Sequence, residues 1–193
     1  HAVAYSILSF QCAWLLNYYP ECWIAAFLDK EPESRKEAAI SLAQKHGFGI
    51  KNININTSTA QWEIDEDGKT LIQPFSSIKG LGDKAVQQII ENRPYTTIDQ
   101  LLFNQSSKLN KKSLDVLCRS GALDSLIDDR FNGCKHFWMS CVQDKPSSAK
   151  KLEEKIKEYA TEEDFSIEEK IEHVSSLTGI FPFDLVMTKA IRE

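Results

Sequence analysis

The chain has 193 residues, 42% hydrophobic and 26% charged, with a formal net charge of −5. Such proportions belong to ordinary globular proteins and exclude wholesale disorder or a fibrous architecture. The negative balance speaks against a chain devoted throughout to nucleic acid, and the five cysteines, odd in number and without framework spacing, point to reduced thiols in the cytoplasm rather than a disulfide scaffold.

The charge is unevenly spread. Residues 1–75 carry 6 basic and 9 acidic side chains, 76–120 carry 7 and 4, and 121–193 carry 10 and 15. The middle segment alone is net positive, so phosphate contact is expected there.

Residues 2–19 are apolar almost all round, which predicts a helix buried between neighbours. Gln11, Asn17, Pro20 and Glu21 interrupt the opening stretch, no apolar run approaches the ~18 residues of a membrane span, and no membrane partner is expected. Pro20 ends this helix and opens the next, ECWIAAFLDK. Glu33 to His46 reads as an amphipathic helix with Ala38, Ala39, Leu42 and Ala43 inward and Gly47 as its C-terminal cap. The period then changes: QWEID and TLIQPF flank Asp67-Gly68, a β-hairpin signal, with Trp62 and Ile64 on one face.

Next come SSIKGLGDKAVQQIIENRP, a helix around TIDQLLFN and another in NKKSLDVLCRSGALDSL. FNGCKHFWMSCVQD reads as helical, and the charged tract from Ser147 to Val174 as an exposed helix with Leu152, Ile156 and Tyr159 in register. Pro146-Ser147-Ser148 is the best linker candidate.

Ile78 to Ala85 carries the clearest chemistry. Gly80 and Gly82 flank Leu81, so the chain can reverse tightly and start a helix near Asp83 whose free N–H groups hold a phosphate oxygen, with Lys79 and Lys84 adding charge. This is the h-G-h-G pattern of helix-hairpin-helix motifs, which grip backbone and not bases. A second basic cluster, Lys108, Lys111 and Lys112, opens another helix, although that half lacks a Gly-x-Gly. Arg119 and Gly121 read as helix termination. Cys134, His136 and Cys141 lack a fourth ligand at zinc-site spacing, and no metal is assigned to them. Gln100-Leu101-Leu102-Phe103 has the outline of a clamp-binding motif but reads as helix core.

Several blocks together resemble one family. HAVAYSILSFQCAWLLNYYPECWIAAFL, the ININ-TS stretch at 53–58, the hairpin leading into SSIKGLGDKAVQQIIENR, and KLNKKSLDVLCRSGALDSL are similar, in order and spacing, to blocks of the C-family replicative polymerase, the DNA polymerase III alpha subunit and its phage relatives. SLTGIFPFDL resembles the entry to the next domain of that enzyme. Two departures stand out: Asn52 to Ile55 replaces a proline-rich approach, and Phe181-Pro182-Phe183 stands where a His-Pro is common. In that family the block opening at His1 is a fingers helix, reached after the PHP and palm domains, so the resemblance implies a fragment or one piece of a split polymerase.

The resemblance implies a mainly α fold with a small β-hairpin: the C-terminal part of a fingers domain over 1–72, a helix-hairpin-helix module over 73–127, and a helical extension over 128–193. It implies membership of a DNA-directed DNA polymerase whose magnesium-binding palm carboxylates would precede His1. The chain itself is then given no catalytic residue, metal or cofactor and is expected to be inactive alone. His1 and Tyr5 are the positions carried over to the incoming nucleotide, and Lys79, Gly80, Gly82, Lys84, Lys108, Lys111 and Lys112 those for DNA. The implied partners are primer–template duplex, deoxynucleotide triphosphate, the rest of the polymerase and, in the full enzyme, a sliding clamp, for which no motif is read between 141 and 165. The alternative is a stand-alone helix-hairpin-helix scaffold or adaptor that contacts protein.

Overall fold

The computed structural model describes residues 1–186, and Glu33, Phe183 and Asp184 in backbone only. Among the described residues ten α-helices and three short strands follow in the order α1 (Ala2–Tyr18), α2 (Pro20–Lys30), α3 (Lys36–Lys45), β1 (Gly49–Lys51), β2 (Glu63–Ile64), β3 (Thr70–Ile72), α4 (Asp83–Glu91), α5 (Ile98–Phe103), α6 (Lys111–Arg119), α7 (Cys134–Trp138), α8 (Ala149–Glu158), α9 (Ile167–Thr178) and α10 (Phe183–Val186). The fold is mainly helical with a small sheet, as expected. Contacts group the chain into two units, residues 1–51 with 61–73, and 52–60 with 74–186. The expected boundaries at 72 and 127 divide it differently, and residues 187–193 of the expected extension lie outside those described.

In the first unit, Asp67 sets the hairpin turn. Its carboxylate accepts from the amides of Lys69 and Thr70, 2.8 Å each, and from the Thr70 hydroxyl at 2.5 Å. β2 and β3 pair antiparallel, Glu63 opposite Ile72, and Trp62 is buried with its amide on Asp29 at 2.9 Å. A third strand was not expected: β1 pairs parallel with β3, Gly49 opposite Thr70. Helix α3 buries Ala39, Ile40 and Ala43, with Leu42 38% exposed and Ala38 exposed, so its inward face is centred on Ile40 rather than on the expected Ala38 and Leu42. Gly47 follows it at φ +86.

Helix α1 forms where expected, but the expectation of burial does not hold. It contains no buried residue, and Tyr5, Phe10 and Val3 are 68%, 69% and 75% exposed. A helix greasy on every side needs cover on every side, and among the described residues that cover is not supplied.

The second unit is built on a continuous core. Phe75, Ile89, Leu101, Leu117, Phe137 and Leu152 belong to one buried cluster, which joins the hairpin helices to α7 and α8. The loop 52–60 plugs into it: Ile53 and Ile55 are buried, the Ile55 amide donates to the Ala122 carbonyl at 2.9 Å, and Asn56 exchanges two 2.8 Å hydrogen bonds with the backbone of Tyr95. Arg93 fastens the loop by donating to the carbonyls of Ile55, at 2.8 Å, and of Ser58. After α7 the helix widens into a π-helical stretch, Met139–Gln143. The proposed linker is a helix start instead: Pro146 is buried, and Ser148 caps α8, whose Leu152 and Ile156 enter the core.

Candidate nucleic-acid interface

The first hairpin is anchored from below. A 3-10 turn, Phe75–Ser77, buries Phe75, and Ile78 is buried beside it, so the chain emerges at Lys79 from a fixed base. Gly80 takes φ +87, a left-handed conformation that reverses the chain and that a side chain would strain. Leu81 turns inward against the core, as expected for the residue between the glycines. Gly82 is different. Its φ of −85 and ψ of 151 suit any residue, and a Cβ there would meet nothing within 4 Å. Its value is therefore open space in front of α4. The amides of Gly82, Asp83 and Lys84 donate to nothing among the described residues, and the Gly82 carbonyl accepts the first helical bonds from Ala85 and Val86 at 2.9 and 3.2 Å. Free donors and the positive end of a helix dipole thus face the same gap. Asp83 sets one carboxylate in that turn, while Lys79 and Lys84 are exposed.

The second hairpin reverses without glycine. Thr97 and Gln100 form a capping box on α5. In the following loop the Asn104 side chain accepts from the Ser106 amide at 3.2 Å, and the Ser107 hydroxyl donates to the Gln100 carbonyl at 2.7 Å. Asn110 caps α6 through the Ser113 amide at 2.8 Å. Asparagine side chains here do the work that glycine does in the first turn, by bonding nearby backbone. The amides of Lys111 and Lys112 donate to nothing among the described residues.

The two hairpins meet. A Cβ on Gly80 would lie 3.8 Å from both Lys112 Cε and Val116 Cγ1, so the first turn rests on the start of α6. Gln88 of α4 donates to the Lys108 carbonyl at 3.1 Å and holds the second loop against the first hairpin. Lys79, Gly80, Lys108 and Lys112 are thereby fixed in neighbouring elements and exposed. Among the described residues none of Lys79, Lys84, Lys108, Lys111 and Lys112 has an acidic partner. Lys111 Nζ donates to the Gln143 carbonyl at 2.6 Å. The Lys79 side chain is open, and its amide donates to the Leu177 carbonyl at 2.9 Å.

Comparison with known proteins agrees with this geometry. A helix-hairpin-helix motif model matches residues 47–132. The DNA polymerase III subunit alpha of Buchnera aphidicola subsp. Acyrthosiphon pisum is 29% identical over 152 residues, 70% of this chain and 13% of that protein. The same subunit of Xylella fastidiosa is 31% identical over 137 residues, 67% of this chain and 11% of that protein. An error-prone DNA polymerase of Corynebacterium efficiens is 31% identical over 128 residues, 65% and 12% of the two chains. The chain is homologous to part of DNA polymerase III subunit alpha. It spans about an eighth of the length of the relatives it matches.

In this polymerase-related chain the helix-hairpin-helix match begins upstream of the first hairpin and takes in β1 and the loop 52–60. His1 and Tyr5 lie apart from the hairpins in sequence, His1 as the N-cap of α1 and Tyr5 in its first turn, with ring centroids 6.4 Å apart. A cleft of about 840 Å³ in the first unit is lined by Leu16, Pro20, His46 and Phe48 among others, and by neither His1 nor Tyr5. His136 is a core residue: its Nδ1 accepts from the Asn132 amide at 2.9 Å, which leaves Nε2–H to donate to the Ile156 carbonyl at 2.8 Å. Burial raises the Cys134 thiol to about 11 and Cys141 further, so both stay protonated. Leu101 and Leu102 are fully buried, as the core reading of the clamp-like tetrapeptide expected. Arg119 pairs with Asp115 at 3.7 Å, and Gly121 follows α6 at φ +82, as expected for a helix end. Sequence reasoning missed Lys145, whose Nζ reaches back to the Leu109 carbonyl of the second hairpin.

Proposed function

We propose that the paired hairpins hold the sugar–phosphate backbone of duplex DNA without reading its bases, as part of a polymerase of the DNA polymerase III alpha kind. The observation that carries this is the placement of two helix starts with unbonded amides, α4 and α6, in contact through Gly80 and Lys112 and surrounded by lysines without acidic partners. Neighbouring anion sites on two helices suit neighbouring phosphates. The duplex would be primer–template, and the 193-residue chain would hold it rather than catalyse incorporation. On the same reading His1 and Tyr5 face the incoming nucleotide, and the uncovered α1 is where the rest of a polymerase packs.

Gly82→Val tests this. The valine side chain suits the φ and ψ of Gly82 and its Cβ meets nothing within 4 Å, but valine caps a helix less well than glycine, so thermal stability should fall by no more than about 1 kcal/mol. It would, however, stand in front of the free amides, and random-sequence duplex binding should drop at least tenfold. The unmutated chain should bind with a log–log salt slope of about −3 to −5, from roughly 3–5 neutralised phosphates. Unchanged binding by Gly82→Val would replace the amide account with simple charge attraction, and no duplex binding by the unmutated chain would overturn the reading.

A further inference from the structure

A basic cleft runs from the second hairpin to residues beyond the matched motif. It has a volume of about 680 Å³, and Lys111, Lys145 and Lys151 are among the residues lining it. These lysines come from three places in the sequence: the start of α6, the loop after the π-helical stretch, and the first turn of α8. Two backbone contacts fix the junction, Lys111 Nζ on the Gln143 carbonyl and Lys145 Nζ on the Leu109 carbonyl. Residues 145–151 hold three lysines and no acid.

Two acids also line the cleft. Asp144 is engaged by Lys155 Nζ at 3.1 Å and by the Tyr159 hydroxyl at 2.5 Å, with a weaker attraction from Lys111; with Lys155 counted, four lysines meet two acids in the cleft. Lys145 is half-buried, and burial, followed by the charge of Lys108, holds its ammonium below the ordinary lysine value.

We propose that Lys145 and Lys151 form a further phosphate-backbone contact for the duplex, extending the hairpin grip from α6 onto α8. This rests on the reading of the hairpins as a duplex grip, because Lys111 of the second hairpin lines the cleft and a strand held there would run on into it. It goes beyond that reading by recruiting residues outside the matched motif, which ends at 132.

The test compares duplex binding by the full chain across a salt series. Lys145→Gln removes the charge while keeping a polar side chain; combined with Lys151→Ala it should make the salt slope shallower by about 1.8, at 0.9 for each of two phosphates. If Lys145→Gln unfolds the chain, Lys150→Ala with Lys151→Ala alters exposed side chains alone and should still flatten the slope by about 0.9 or more. A slope equal to that of the unmutated chain, with Gly82→Val still defective, would overturn this contact and leave the hairpin reading standing. No duplex binding by the unmutated chain would overturn both. Poly-glutamate is the competitor for the other polyanion class: if it binds the unmutated chain as tightly as duplex does and needs both lysines, the cleft is an acidic-peptide site and the proposal fails.

Discussion

The two units differ in how they use their apolar residues. The second encloses them: one continuous cluster runs from Ile53 to Ile156, and the loops around it are fastened by polar side chains such as Arg93, Asn56 and Asn110. The first leaves its most apolar element open, with α1 uncharged along its whole length and without a buried residue. Composition was a guide to structure in both units, but only in the second do the described residues supply the surfaces that the composition demands. The lesson is that hydrophobicity states what an element needs and is silent about where the need is met.

Core truncation should separate the units most sharply. Leu117 is fully buried, so Leu117→Ala should cost about 2–5 kcal/mol in a denaturant or thermal melt, whereas Phe10→Ala on α1 should stay within about 0.5 kcal/mol. A comparable loss at Phe10 would mean that α1 is covered in solution, by another copy or by a partner, and would break the contrast.

Gly133 is the next largest. It sits at φ +148, and a Cβ there would come within 2.7 Å of the Asp164 carboxyl carbon, so Gly133→Ala combines backbone strain with a collision. Loss of about 1–3 kcal/mol is expected, localised by hydrogen exchange to α7 and the start of α9. Arg93→Met follows, removing charged donors from the Ile55 and Ser58 carbonyls while keeping much of the aliphatic bulk. About 1.5–3 kcal/mol per lost charged bond is an upper range, offset by the retained packing, and amide exchange should rise in 52–60 before it rises in α4.

The smallest effect is electrostatic. Burial alone would raise the Asp164 carboxyl, but hydrogen bonds from Lys170 and from the amides of Lys135 and Phe165 outweigh it and hold the carboxyl below its ordinary value. Lys170 Nζ lies 2.6 Å away and the Lys135 amide 2.9 Å. A depressed folded pKa means that its stabilisation is present above the unfolded value of about 3.9 and is lost as pH falls through the folded one. Asp164→Asn should therefore cost stability at pH 7 and progressively less below about pH 4; a penalty independent of pH would assign the residue a steric role.

What could be read from sequence depended on range. Gly80-Leu81-Gly82 announced the first hairpin because a turn that needs a positive φ and an open helix start leaves a local mark. The second hairpin was legible through its lysines but not its turn, since Asn104 and Asn110 reverse the chain by side-chain hydrogen bonds that a glycine pattern does not reveal. Strand β1 was invisible because three residues, Gly49–Lys51, carry too little periodicity to register. Lys145 and Lys151 were passed over because charge counted along the chain cannot show that a lysine after the π-helical stretch folds back to Leu109.

The bond from the Lys79 amide to the Leu177 carbonyl carries one more consequence. With Ile78 bonded to Phe75 and Leu81 to Ile78 at 3.0 and 3.3 Å, the grip turn is set in shape before any duplex arrives. Association then spends little conformational entropy on ordering it, so a handful of contacts can yield measurable affinity. Helix α9 becomes a thermodynamic contributor to a surface formed by other helices: loosening it should weaken association through a less favourable binding entropy, with the number of released counterions unchanged.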